Sequence, residues 1–224
     1  MKLLALDTAT DACSAAACEG DAIHERFEFA PRRHGRLLLT MVNEVLAEAG
    51  WEMSDLDAVA FGRGPGSFTG VRIAAATAQG LAFGADLPVI AVSSLGALAQ
   101  TAFATHGVRR CAAALDARMD EVYFGAYEID AQGIAQPARR EQVCAAEELS
   151  LPDGGSWTGV GPGWAAYESR LLARLGDRIE GIHAAAYPRA RDIATLAAFG
   201  FSRGEAVRAE AALPVYLRDR VTQS

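Results

Sequence analysis

Two stretches of the sequence repeat one plan, and this repetition limits the possible folds more than any other feature. The first stretch, KLLALD, reads as an apolar strand that ends at Asp7, and ACSAAACEG and AIHERFEFA read as the next two strands. The second stretch, CAAALDARMDEVYFGAYEIDAQG, again gives an apolar strand that ends in an aspartate, Asp116, then a turn and another strand. We therefore predict two related lobes, residues 1–107 and 108–224, each built on a β-meander with helices.

Helices alternate with strands after the first meander. The segment GRLLLTMVNEVLAEA has helical periodicity and stops at Gly50, and a second helix is predicted over residues 71–83. The strand PVIAV follows, and Ser93 or Ser94 then caps a third helix. Paired lobes that each begin with an aspartate-ended strand fit an α/β fold of the actin-like ATPase (ribonuclease H-like) design.

A glycine-rich loop, GRGPGSFTGVR at residues 62–72, lies between a predicted strand and the second helix. Loops of this kind at a helix N-terminus are typical of anion binding. The loop is not a P-loop, because Lys2 is the only lysine in the chain. Its spacing at Gly64, Gly66 and Gly70 also differs from the dinucleotide-binding fingerprint.

Two interpretations of this loop remain. In the favoured one, Ser67 or Thr69 caps the second helix and the glycines let the loop position an alanine-rich helix for close packing. In the other, an anion binds near Gly66, Ser67 and Arg72.

The charge of the chain argues against nucleic-acid binding by this protein alone. The 224 residues carry a formal net charge of −7, whereas proteins that bind nucleic acid unaided normally present a basic face. No stretch reaches the roughly 20 apolar residues that cross a bilayer, and the start MKLLALDTATDA does not resemble a secretory signal. We expect a cytoplasmic protein without a membrane contact.

Four segments together resemble the bacterial TsaB family, also called YeaZ. They are LALDTAT, GRGPGSFTGVRIA, DAR-x-x-EVY and PVYLR, and they follow one another in order along nearly the whole chain. The resemblance implies an actin-like fold and a partnership with a paralogue, TsaD. The TsaD complex installs threonylcarbamoyl on the adenosine beside the anticodon of certain tRNAs, and TsaE is its associated ATPase.

Because TsaD carries the catalysis in that family, the resemblance implies a non-catalytic scaffold subunit here. The expected partners are a TsaD-like paralogue and a TsaE-like ATPase, with a homodimer when the chain is alone and tRNA reached only through the complex. The alternative is an independent small actin-like ATPase or phosphotransferase that uses Asp7 and Asp116.

The residues at the expected chemical sites favour the scaffold. The catalytic paralogue carries an H-x-x-x-H metal motif, but here His34 is followed by Leu38 in the second position, so we expect no metal. We expect no cofactor bound tightly by this chain, with ATP or ADP left as a ligand of the complex.

The two phosphate turns of the actin-like design are incomplete in this sequence. Asp7, Thr8 and Thr10 keep the acidic group and the hydroxyls, but neither this turn nor the turn after Asp116 has the glycine that lets backbone N–H groups approach phosphate. The candidate anion or nucleotide contacts are Asp7, Thr8, Thr10, Gly66, Ser67, Arg72 and Asp116.

The first helix carries an unusually wide apolar arc. Its apolar residues cover about 200° of the circumference, whereas packing on one core needs a stripe of about 100°. The surplus either lies in a thick intramolecular core or contacts a partner, and the resemblance favours a partner, because TsaB is understood to dimerise through its first two helices. The predicted interface residues are Leu38, Leu39, Val42, Leu46, Ala75 and Ala78.

Overall fold

The computed structural model describes residues 1–218, so the last six residues of the predicted second lobe lie outside the described residues. Within residues 1–218, eleven strands form two mixed β-sheets, and five α-helices pack against them. This arrangement confirms the α/β class predicted from the sequence.

The first sheet contains the first predicted meander. Its strands are β1 (Lys2–Asp7), β2 (Ala12–Glu19), β3 (Ala22–Phe29), β4 (Ala58–Gly62) and β5 (Val89–Val92). They lie in the order β3-β2-β1-β4-β5, with β1, β2 and β3 antiparallel and β1, β4 and β5 parallel. The carboxyl ends of the three parallel strands therefore meet at one edge of the sheet, where β1 ends at Asp7 and β4 leads into the glycine-rich loop.

The second sheet repeats this pattern. Its strands are β6 (Arg110–Asp116), β7 (Glu121–Ile129), β8 (Ala135–Pro137), β9 (Gln142–Ala145), β10 (Trp157–Val160) and β11 (Ile179–His183). They lie in the order β11-β10-β6-β7-β8, and β9 also pairs with β7. As in the first sheet, the opening strand β6 has an antiparallel neighbour, β7, and a parallel one, β10. Asp7 and Asp116 thus end corresponding strands.

Local capping signals define the helix ends. The helices are α1 (His34–Ala49), α2 (Phe68–Ala85), α3 (Ser94–His106), α4 (Pro162–Leu175) and α5 (Ala190–Ser202). Gly50 ends α1 with a φ of 70°, and the hydroxyls of Ser67 and Ser93 accept hydrogen bonds from the first turns of α2 and α3. The α2 helix therefore starts three residues before the predicted position. In residues 1–218, no helix has both the length and the apolar character of a membrane span.

Helices cover both faces of the first sheet. Leu4 and Leu6 of β1 belong to one buried cluster with side chains of α1 and α2, whereas Leu3 and Ala5 face the opposite side and pack with α5. The α5 helix follows the second sheet in sequence but packs on the first. The predicted division at residue 107 stays a prediction, since the chain returns to the first sheet after β11.

Candidate functional site at the glycine-rich loop

Asp7, at the carboxyl end of β1, is enclosed by the protein. Only 1% of the residue is exposed, and its Oδ1 accepts a hydrogen bond from the Ala9 N–H at 3.0 Å. The Ser94 hydroxyl donates to Oδ2 at 3.4 Å. Burial raises the pKa of Asp7 from 3.8 to about 7, and the two hydrogen bonds act in the opposite direction. The carboxyl group therefore links the turn after β1 to the start of α3 and does not face solvent.

The glycine-rich loop lies directly on this turn. The Thr8 hydroxyl donates to the Gly70 carbonyl at 2.7 Å, and the Ser67 N–H donates to the Ala9 carbonyl at 2.7 Å. A Cβ atom at Gly66 would overlap Ala9, and one at Gly70 would overlap the Thr8 carbonyl. The glycines are thus needed for close approach between two backbone segments, and the loop fills the space beside the turn.

Two of the hydroxyls predicted as anion contacts accept hydrogen bonds from nearby backbone N–H groups. Thr10 accepts the Ala12 N–H at 3.2 Å, and the Ser67 hydroxyl accepts the Gly70 N–H at 3.3 Å as the N-cap of α2. Asp7, Thr8, Thr10, Gly66 and Ser67 therefore lie on two segments that are joined by the Thr8–Gly70 and Ser67–Ala9 hydrogen bonds. These contacts favour the structural interpretation of the loop.

Arg72 packs in an exposed aromatic cluster. Its guanidinium carbon lies 3.4 Å from the centroid of the Phe68 ring, and its Nε donates to the Tyr216 hydroxyl at 2.9 Å. Phe68 and Tyr216 are 54% and 46% exposed. The structure therefore gives the Arg72 guanidinium aromatic and hydroxyl partners within the chain.

Asp116 occupies the corresponding turn of the second sheet but has different partners. It accepts the Arg118 N–H at 2.7 Å and the Tyr167 hydroxyl at 3.1 Å, and the Arg118 guanidinium lies 3.0 Å from its carboxylate. The next residues, Arg118, Met119 and Asp120, all have positive φ angles between 54° and 62°. The side chain is 25% exposed, so Asp116 is more accessible than Asp7.

A C-terminal segment, residues 214–218, connects the two lobes, and we call it the strap. The Val215 N–H donates to the Arg63 carbonyl in the glycine-rich loop at 2.8 Å. Arg218 donates to the Ala117 carbonyl at 3.1 Å and pairs with Glu121 in the second lobe. The sequence PVYLR marks the family resemblance but does not by itself predict these contacts.

Comparison with known proteins identifies the family. A family model described as TsaD, tRNA N6-adenosine threonylcarbamoyltransferase, matches residues 21–223. The tRNA threonylcarbamoyladenosine biosynthesis protein TsaB of Escherichia coli strain K12 is 43% identical, over 99% of this chain and 96% of that protein. TsaB of Haemophilus influenzae is 42% identical, over 99% and 95%. The solved structure of YeaZ from Pseudomonas aeruginosa has a TM-score of 0.91 at 48% identity, covering 96% of this chain and 99% of that chain. The chain belongs to the TsaB family.

Membership of the TsaB family confirms the resemblance inferred from the four sequence segments. The near-complete superposition on YeaZ and the match to the TsaD model also confirm the actin-like, ribonuclease H-like fold.

The position of the paralogue's metal motif is part of the core in this TsaB-family chain. His34 is 8% exposed, and its Nε2 has no hydrogen-bond partner among residues 1–218. Leu38, one turn later, is 1% exposed and packs in the hydrophobic cluster under α1. In the described part of the chain, no three His, Cys, Asp or Glu side chains are grouped as a metal site would require.

The structure corrects the predicted contact surface on the first two helices. Five of the six predicted residues are between 0% and 7% exposed in the single chain and belong to one core cluster: Leu38, Val42, Leu46, Ala75 and Ala78. The wide apolar arc of α1 packs partly on the sheet below it and partly on α2 beside it. The apolar surface that exceeds the needs of one contact is therefore covered within the chain. Leu39 alone of the six is exposed, at 53%.

A different set of α2 residues faces solvent, and we call it the α2 stripe. Ala76, Gly80, Phe83 and Gly84 are spaced by four, seven and eight residues, so they share one side of the helix, and Phe83 is 77% exposed. A Cβ atom at Gly80 would meet no atom within 4 Å. Glycine inside a helix costs about 1 kcal/mol relative to alanine, and packing within this chain does not require it.

Proposed function

We propose that this chain takes part in forming threonylcarbamoyladenosine in tRNA, as a non-catalytic subunit that binds a TsaD-like catalytic paralogue. The relatives from E. coli and H. influenzae are named as tRNA threonylcarbamoyladenosine biosynthesis proteins, and each is matched over at least 95% of its length. Such coverage supports the same pathway for this chain. With a net charge of −7, the chain would reach tRNA through the complex in the cytoplasm.

The packing of the glycine-rich loop on the β1 turn is the observation that carries the non-catalytic role. An actin-like ATPase needs this turn open to phosphate, with its hydroxyls and N–H groups free. Here the Thr8 hydroxyl, the Ala9 carbonyl and the Asp7 carboxyl all bond within the chain. ATP or ADP is therefore proposed as a ligand of the complex and not of this turn.

The α2 stripe is the proposed surface for the paralogue. Its small residues Ala76 and Gly80 leave the helix backbone accessible to another helix, and Phe83 supplies an exposed apolar side chain beside them. Leu39 adds a second exposed apolar side chain on the neighbouring helix α1. Such a surface is also self-complementary about a two-fold axis, so a homodimer is proposed when the paralogue is missing. A TsaE-like ATPase is proposed to join the assembled pair.

Replacing Gly80 by arginine tests this surface. The position is exposed, so the variant should fold, whereas a charged side chain at the centre of a helix contact should weaken association about a hundredfold, or about 3 kcal/mol. Gly176→Arg is the matched control, because a Cβ atom there also meets open space but the residue lies at the end of α4. Analytical ultracentrifugation measures the homodimer, and titration with purified TsaD measures the heterodimer.

Two results would contradict the proposal. Equal TsaD affinity for the wild type and Gly80→Arg would place the contact elsewhere. ATP hydrolysis by this chain alone, at the rate of the assembled complex and lost in Asp116→Ala, would instead support the independent ATPase.

A further inference from the structure

A cavity of about 810 Å³ lies between the two sheets. The first lobe contributes β5 and α5, including Ile90 and Phe199, and the second contributes Tyr127 of β7 and the segment after β8 that contains Glu141. The strap forms part of the wall through Val215. The volume is within the range of about 300–1,000 Å³ that is typical of small-molecule sites.

One arginine that lines the cavity, Arg63, has an unsatisfied side-chain nitrogen. Its Nε atom is buried and has no hydrogen-bond partner among residues 1–218. Arg63 lines the same cavity as Tyr127 and Glu141. Burial and the Glu141 carboxylate raise the pKa of Tyr127 well above its ordinary value, whereas Arg63 acts in the opposite direction. A buried donor with no acceptor is costly, and a carboxylate or phosphate is the partner that suits a guanidinium.

The nearest carboxylate is already engaged. Glu141 accepts hydrogen bonds from the hydroxyls of both Tyr127 and Ser93, and it forms no ion pair with Arg63. Positive charge exceeds negative charge around the cavity, although the whole chain has a net charge of −7. Four arginines and two glutamates line it: Arg63, Arg139, Arg140, Arg203, Glu141 and Glu205.

The remaining wall is apolar. Leu196 and Phe199 of α5 and Val215 and Leu217 of the strap border the same space. An occupant that satisfies both parts of the lining therefore combines an anionic group with an apolar body. We propose that the cavity binds a small organic anion, with its carboxylate or phosphate against Arg63 and its apolar body against the α5 side chains.

This site is independent of the proposed subunit contact. The cavity shares no lining residue with the α2 stripe, so failure of one proposal would leave the other standing.

The fluorescent organic anion 8-anilinonaphthalene-1-sulfonate is a direct probe of the cavity. Arg63→Gln should raise its Kd at least about tenfold, because a charged hydrogen bond is lost. Glu141→Gln keeps an acceptor for Tyr127 and Ser93 but removes the opposing charge, so it should lower the Kd. Arg208→Gln is the matched control, because this exposed arginine pairs with Glu210 outside the cavity and should leave the Kd unchanged.

Competition identifies the chemistry of the natural ligand. Benzoate and phenyl phosphate should displace the probe, with the tighter one showing whether the site prefers a carboxylate or a phosphate, and benzyl alcohol should not. Circular dichroism checks that each variant folds. If Arg63→Gln does not fold, Arg140→Gln at an exposed position takes its place. That variant should raise the Kd of the probe at least about threefold. An unchanged Kd in the folded arginine variant, or displacement by benzyl alcohol as strong as by the two anions, would overturn the proposal.

Discussion

Replacing Asp7 by asparagine tests whether this aspartate is a structural group or a phosphate-site group. The amide keeps the shape of the carboxyl: its oxygen can accept the Ala9 N–H, and its nitrogen can donate to the Ser94 hydroxyl. The change removes a charge that burial disfavours. We therefore expect the variant to be more stable than the wild type at neutral and alkaline pH.

The size of the effect follows from the two pKa values of Asp7, 3.8 as its ordinary value and about 7 in the folded chain. A raised pKa in the folded state gives stability that is fully present below pH 3.8 and is lost as the pH rises through about 7. Each pKa unit corresponds to about 1.4 kcal/mol, so the wild type loses about 4 kcal/mol over the whole range. Between pH 5 and pH 8 the loss is about 2–3 kcal/mol.

Urea unfolding at pH 5 and pH 8 measures this difference. The free energy of unfolding of Asp7→Asn relative to the wild type should increase by about 2–3 kcal/mol between these two pH values. Asp153→Asn is the matched control at an exposed loop position and should show no such increase. A variant that is less stable than the wild type at pH 8, or a difference that does not change with pH, would refute the reasoning.

Three further predictions concern the core, the loop and tRNA. Val42→Arg should unfold the chain and not merely separate subunits, because it puts a charge at a core position that is 1% exposed. Loss of the circular dichroism signal would confirm unfolding, and a folded monomer would contradict it. Gly70→Ala should lower the free energy of unfolding by about 1–3 kcal/mol, because its Cβ atom would overlap the Thr8 carbonyl. Equal urea midpoints for the variant and the wild type would argue against the packing of the loop on the β1 turn. The purified chain alone should bind tRNA more weakly than about 1 μM at physiological salt, and filter binding that gives a lower Kd would contradict the proposal that tRNA is reached through the complex.

Features that depend on neighbouring residues were predictable from the sequence. Gly50 ends α1, and Ser67 and Ser93 cap α2 and α3, because the hydrogen bonds involved span only a few residues. The repeated strands that end at Asp7 and Asp116 also lie where the sequence predicts them, since both are continuous apolar runs.

Features that depend on distant packing were not predictable. Apolar periodicity shows that a residue is covered but not what covers it, which is why Val42 and Ala78 were assigned to a partner although they pack within the chain. The return of α5 to the first sheet was missed for the same reason, because its contacts with β1 join residues far apart in sequence.

The site was partly predictable. The sequence left two interpretations of the glycine-rich loop, and the contacts of Gly66 and Gly70 with Thr8 and Ala9 favour the structural one. Those contacts exist because parallel pairing of β1 with β4 brings the two segments together. The unsatisfied Nε atom of Arg63 could not be recognised in advance, because its cavity is formed by several separate parts of the chain.

The most direct test of the proposed function is the threonylcarbamoyladenosine content of tRNA, measured by mass spectrometry of nucleosides from cells depleted of this chain. Depletion should lower the amount of this nucleoside. Expression of the wild type or of Asp7→Asn should restore it, whereas expression of Gly80→Arg should not. An unchanged level after depletion would contradict a role in this modification, and failure of a folded Asp7→Asn variant to restore it would contradict the non-catalytic interpretation of the β1 turn.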